Sequence, residues 1–259
     1  MKGKGRPRFA GARLAPSFRL TLAAFRAIEP ATTGRPRLYL VLFDVDGTLI
    51  DSQHMIVAAM SRAFAATGRP APSRAETLSI VGLSLEVAMT RLLGRPEIDD
   101  DARALANAYK EAFFDLRSSA AHQEPLYPGA REALEALSAR DDVLLGLATG
   151  KSRRGVRAIL DLHDLHGRFV TVQTADENPS KPHPAMILKA LAETGVAPER
   201  AVIVGDTTYD VEMAEAAGIA ALGVSWGYHA DEALTRAGAV RVLAGYEDLV
   251  PSLARLFAW

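Results

Sequence analysis

Four aspartates, one threonine and one lysine stand where this chain changes from apolar runs to polar turns. In Val41-Leu42-Phe43-Asp44-Val45-Asp46-Gly47-Thr48-Leu49 an apolar stretch ends at two carboxylates two residues apart. Leu38 to Phe43 is rich in β formers and reads as a buried strand. Side chains alternate faces along a strand, but here the chain is already turning into Gly47, so Asp44 and Asp46 can face one crevice. Like charges this close repel, and a metal ion or a division of roles offsets the cost. A polar turn closing a strand has the same composition. In Gly205-Asp206-Thr207-Thr208-Tyr209-Asp210, Asp206 lies just off a second strand end and Asp210 falls one helical turn later. Thr207 or Thr208 can cap that helix, and its positive terminus favours an ionised Asp210; an ordinary acidic first turn looks alike.

Thr149-Gly150-Lys151-Ser152 marks a third strand-to-helix junction. A hydroxyl and backbone amides at a helix start make an anion seat, or a plain N-cap. The spacing is not that of a P-loop. In Lys181-Pro182-His183-Pro184 the two prolines stiffen a short loop: Pro182 biases Lys181 toward extended backbone, and Pro184 suits a helix start. Lys181 is then a fixed cation able to bridge a phosphate and a carboxylate, against the simpler reading of a solvent-facing lysine. Oxygen-only ligands from Asp44, Asp46, Asp206 and Asp210 suit a hard cation, with Mg²⁺ the expected choice. An acidic metal site, an anion-binding hydroxyl, a fixed cation and two carboxylates to attack and to carry a proton are the parts that phosphoryl transfer needs.

These residues must be positioned by alternating elements. Residues 52–124 read as helices alone: one over 52–66 stopped at Thr67-Gly68-Arg69-Pro70, two short ones around Gly82-Leu83-Ser84, and one opened by Asp99-Asp100-Asp101 and ending near Leu116. Ser84 is the expected N-cap of the second short helix. From Pro125 strands at 142–148, 169–173, 201–204, 219–224 and 240–243 alternate with helices at 130–139, 152–162, 184–194, 209–217, 231–237 and 246–257. That alternation means an α/β fold, a parallel sheet with helices on both faces and ligands outside the carboxyl ends of its strands. Two segments follow: a core of 38–51 and 125–259, and a helical insert of 52–124.

The chain has 259 residues, 49% hydrophobic, a formal charge of -1 and no cysteine. That excludes disulfides, zinc–thiolate sites and a cysteine nucleophile, and argues against a nucleic-acid binder as a whole. No apolar run reaches the length of a membrane span. Absence of cysteine fits a reducing compartment, and a cytoplasmic location is expected. Residues 1–37 carry nine basic residues against one acid, Glu29. They read as a disordered basic leader, or as the product of a start codon placed too far upstream.

The four motifs together resemble the haloacid dehalogenase (HAD) superfamily in its phosphatase branch: Asp44-Val45-Asp46-Gly47-Thr48-Leu49, Thr149, Lys181, and Gly205-Asp206-Thr207-Thr208-Tyr209-Asp210. The resemblance covers about residues 38 to 250. It implies a three-layer Rossmannoid parallel sheet with an inserted α-helical cap of the C1 type at 52–124. The Lys-Pro-His-Pro loop and Gly227-Tyr228 are most similar to the phosphoglycolate phosphatase-like subgroup.

The resemblance also implies roles. Asp44 is the expected nucleophile, forming an aspartyl-phosphate, and Asp46 the expected general acid and base. Mg²⁺ would be held by the Asp44 carboxylate, the Asp46 backbone carbonyl and Asp206. Asp210 would act through water or as a partner of Lys181. Thr149, Gly150 and Lys181 would grip the phosphate. Asp rather than a smaller or neutral residue at 46 favours a phosphatase over a dehalogenase. Gly150 departs from the Asn that many relatives carry. Gly82, Leu83 and Ser84 form the candidate cap loop at the leaving group, and His54, Glu86 and Arg91 are further cleft candidates. Arg153, Arg154, His163 and His166 read as surface residues, and Tyr209 and Trp226 as packing. The expected substrate is a small phosphorylated metabolite, 2-phosphoglycolate first, with pyrophosphate, nucleoside monophosphates or sugar phosphates as alternatives. A catalytically idle binding module of the same fold is the reading from another class. No nucleic acid or membrane partner is expected, and the oligomeric state is open.

Overall fold

The computed structural model describes residues 37–118 and 124–259. The leader assigned to 1–37 lies outside the described residues, apart from Arg37. Strand β1 (Tyr39–Phe43) comes first, followed by four helices, α1 (Gln53–Ala66), α2 (Arg74–Ser79), α3 (Leu85–Leu92) and α4 (Asp100–Arg117). The rest alternates: α5 (Ala130–Ser138), β2 (Val143–Thr149), α6 (Arg153–His163), β3 (Thr171–Thr174), α7 (Ala185–Thr194), β4 (Ala201–Gly205), α8 (Thr208–Ala217), β5 (Ala220–Val224), α9 (Asp231–Ala237), β6 (Arg241–Leu243) and α10 (Leu249–Phe257).

All five strand pairings are parallel, in the order β3-β2-β1-β4-β5-β6. The alternation of β1 divides the core. Val41 and Phe43 pack on one face with Leu134 of α5, Ile159 of α6 and Leu253 of α10. Leu40 and Leu42 pack on the other with Ile187 of α7, Met213 of α8 and Leu234 of α9. Chain order reverses across β1, between β2 and β4, so the crevice at their carboxyl ends is the switch point where such sheets bind ligands.

Helices α1 to α4 carry cores of their own, one around Met60, Phe64, Met89 and Leu105 and one around Met55 and Leu116. Their starts are fixed locally. The Ser73 hydroxyl accepts from the Glu76 amide while the Glu76 carboxylate accepts from the Ser73 amide, and Asp99 Oδ1 accepts from the Ala102 amide at 2.8 Å. Ser84 precedes α3 as expected, but its side chain makes no cap; its amide donates to Ser180 Oγ at 2.8 Å instead. The final helix expected at 246–257 is shorter. Tyr246–Asp248 is a 3₁₀ turn, with Tyr246 buried against Trp226 and its hydroxyl donating to the Thr48 carbonyl.

Candidate active site

Asp44 leaves β1 with its amide still donating to Val204 O at 3.0 Å, and its Oδ1 accepts from the Val45 amide at 2.7 Å. Its Oδ2 lies 3.1 Å from Lys181 Nζ but has no aligned hydrogen bond. Lys181 donates to Asp210 Oδ1 at 2.6 Å, and Asp210 Oδ2 accepts from the Thr207 amide and hydroxyl at 3.2 and 2.7 Å. Asp206 accepts from Thr48 Oγ1 and from the Tyr228 amide, both at 3.0 Å. It is wedged between two glycines. A Cβ on Gly47 would stand 2.2 Å from Asp206 Oδ2, and one on Gly227 2.0 Å from Asp206 Cβ. Gly47 also holds φ +84°, a region glycine enters without strain.

Asp44, Asp206 and Asp210 each offer an oxygen within 4.8 Å of the others, and all three are buried. Lys181 pairs with Asp44 and Asp210, and Asp206 has no cationic partner among these contacts. Burial pushes the Asp44 carboxyl up to about 6; Lys181 opposes that rise, while Asp210 adds to it. Asp206 is raised well above the carboxylate range by burial, then by Asp44 and Asp210. Burial alone would lower Lys181, but Asp210 and Asp44 outweigh it and hold its ammonium above the ordinary value. A buried, oxygen-only, under-neutralised cluster with an orphaned Asp44 Oδ2 fits a hard divalent cation.

The Asp46 side chain stands apart from that cluster. Its Oδ1 accepts from Ser52 Oγ at 2.6 Å, and Lys151 Nζ reaches both carboxylate oxygens at 2.8 and 2.9 Å. Tyr228 OH lies 3.1 Å from Ser52 Oγ. Lys151 is also 3.5 Å from the buried Glu124 and sits over the Phe113 ring, while Arg117 donates to Glu124 at 2.7 Å. The sequence by itself does not single out Lys151 or Glu124. Lys151 sits in the Thr149-Gly150-Lys151 junction, but nothing in local spacing shows it reaching a residue 105 positions earlier.

Thr149 ends β2 beside Asp44, and its hydroxyl accepts from the Lys151 amide at 3.2 Å. Gly150 has a reason of its own. A Cβ there would come within 2.5 Å of the Gly82 carbonyl and 2.7 Å of the Leu83 carbonyl. Gly82, Leu83 and Ser84 do line the cleft, as does Glu86. His54 is exposed and outside its lining. Arg91 donates to Tyr209 OH at 2.8 Å, and Tyr209 OH donates to the Ser79 carbonyl at 2.9 Å. Tyr209 therefore ties α8 to the helical segment, which is more than packing. Arg154 lines the cleft and lies over Phe114, rather than only facing solvent. His163 is half-buried, its ring 2.7 Å from the Glu124 carbonyl, while His166 pairs with Asp161 at the surface. Trp226 packs against Tyr246 and donates to the Thr48 carbonyl. The cleft between strand ends and helices has a volume of about 510 Å³.

Among the described residues no helix is long and apolar enough to cross a membrane. The family model of haloacid dehalogenase-like hydrolases matches residues 41–224. A relative from Dickeya dadantii (strain 3937), named "Probable phosphatase IndB", is 34% identical over 82% of this chain and 91% of its own. A phosphoglycolate phosphatase from Pseudomonas putida is 31% identical over 90% of this chain and 85% of its own. The crystal structure of a hydrolase from Pseudomonas syringae superposes with a TM-score of 0.74 at 27% identity, covering 84% of this chain and 98% of that one. With the sheet order, the strand-end carboxylates and these likenesses together, the chain belongs to the haloacid dehalogenase-like hydrolases.

Proposed function

We propose that this enzyme is a Mg²⁺-dependent phosphatase that hydrolyses a small phosphate monoester through an aspartyl-phosphate on Asp44. The observation that carries the reading is the buried set of Asp44, Asp206, Asp210 and Lys181 at the switch point of the sheet. Asp44 Oδ2, which has no hydrogen bond, attacks phosphorus, and the bond to the leaving oxygen breaks. Asp46 gives the leaving oxygen its proton. It then takes a proton from the water that attacks the acyl phosphate, which frees Asp44 and releases inorganic phosphate. Ser52 and Lys151 keep Asp46 oriented for both transfers. Thr149, the Gly150 backbone and Lys181 seat the phosphoryl oxygens. Asp44 and Asp206, with the Asp46 carbonyl, would hold the metal, and Asp210 would act through water or through Lys181; when bound, the ion would supply positive charge against those oxygens. Residues 52–124 act as a cap that closes over the site and keeps bulk water out.

2-Phosphoglycolate is supported as a substrate by the names of relatives such as the Pseudomonas putida protein. Phosphate release in Mg²⁺ over a panel of esters, nucleotides, sugar phosphates and pyrophosphate tests the reading, with Asp44→Asn as the blank. Turnover of at least one ester, lost about a thousandfold or more in Asp44→Asn, is the expected result. A variant that keeps near-native turnover removes Asp44 as nucleophile.

A further inference from the structure

The cleft is larger and less polar than its chemistry requires. Its volume of about 510 Å³ lies among pockets that take drug-sized ligands. Of the groups assigned to the phosphate, Asp44 and Thr149 stand at strand ends on its floor, and Lys181 lies behind Asp44, from the loop before α7. Above them Met60, Val81, Leu83, Leu85, Tyr109 and Phe113 face the same space, from α1, the loop before α3, α3 itself and α4.

The charged groups next to the floor are already engaged, and the other polar side chains on the helical wall are Ser84 and the acid Glu86, neither of which offers a cation to a carboxylate. Lys151 grips both oxygens of Asp46, and Arg117 grips Glu124. The loop over Gly150 turns the Gly82 and Leu83 carbonyl oxygens toward it. The amides of Val81, Leu83 and Ser84 donate to Leu78 O, Ile80 O and Ser180 Oγ. A carboxylate only two carbons from the ester oxygen would meet those carbonyls and a lysine held by Asp46 and Glu124. Lys110 and Arg154, also on the lining, are exposed residues at its rim. A leaving group with an apolar body would instead bury its surface against the helical wall.

We infer that the site takes phosphate monoesters whose leaving group is an apolar body larger than a two-carbon acid. The inference rests on the phosphatase reading and deepens it. Straight-chain monoalkyl phosphates from ethyl to hexyl test it, because their leaving alcohols differ little in acidity while the buried area grows. With native enzyme and Mg²⁺, kcat/KM should rise about fourfold per added methylene, and hexyl phosphate should exceed 2-phosphoglycolate. In Leu85→Ser and in Phe113→Ser the gain per methylene should shrink. A flat or falling series, or 2-phosphoglycolate tenfold ahead of hexyl phosphate, overturns the inference and leaves the phosphatase reading standing. An unchanged gain per methylene in both variants also overturns it, since the chain would then lie elsewhere. No ester turned over above the Asp44→Asn blank overturns both.

Discussion

Beneath the floor of the cleft, behind Asp44, Asp206 sits between Gly47 and Gly227 with both oxygens hydrogen-bonded, and Lys181 is shared by two buried carboxylates. On the roof, most side chains facing the same space are apolar and are held by packing among α1, α3 and α4, with Ser84, Glu86, Lys110 and Arg117 between them. Polar ties from roof to floor are few and specific, such as Arg91 and Ser79 on Tyr209 and the Ser84 amide on Ser180. The floor is built of charges whose removal leaves other charges stranded. The roof is built of contacts that can be traded one for another at modest cost.

The sharpest way to break the contrast is Lys181→Met. It strands Asp44 and Asp210 as buried carboxylates, and the expected loss is about 3–5 kcal/mol in denaturant unfolding without metal, with turnover near the blank. Unchanged stability would mean that the floor does not depend on this ammonium.

A second test concerns the cation that these carboxylates would hold. The Asp44 carboxyl is raised from 3.8 to about 6 by burial, so between those values the folded chain holds more protons than the unfolded one. Its contribution is present in full below pH 3.8 and is lost as pH rises through about 6. In a chelator, the melting temperature should therefore fall over that window. Mg²⁺ should restore it by several degrees at neutral pH and far less at pH 4, as calorimetry would record. An equal effect of Mg²⁺ at both pH values would contradict a metal held by these carboxylates.

Smaller effects belong to the roof. Gly150→Asn places a Cβ against the Gly82 and Leu83 carbonyls, and the loop must shift. The expected cost is about 1–3 kcal/mol, with kcat/KM lowered more than tenfold. Unaltered kinetics would show that the loop has no part in closure. Tyr209→Phe removes the hydroxyl shared by Arg91 and Ser79, and a loss of about 1 kcal/mol is expected in thermal melts. A large fall in kcat from so small a change would make this tie part of the closing motion.

Much of the chemistry at the strand ends is legible in the sequence alone. Asp44, Thr149, Asp206 and Asp210 can be located this way because a strand end followed by a helix start is written in adjacent residues, as apolar runs, Gly and caps. The boundaries drifted where tertiary contacts intervened, as at 246–257, where Tyr246 is pinned beneath Trp226 and the helix begins only at Leu249.

By itself the sequence determined the alternation of elements, the family and the residues at the strand ends, because each depends on local patterning and on spacing along the chain. Only the tertiary structure decided that Lys151 reaches Asp46, that Glu124 is buried behind it, that Gly150 makes room for the Gly82 carbonyl, and that the roof is mostly apolar. These are contacts between residues tens to more than a hundred positions apart. No local pattern encodes them, because they arise only when the helical segment is laid over the carboxyl ends of the sheet.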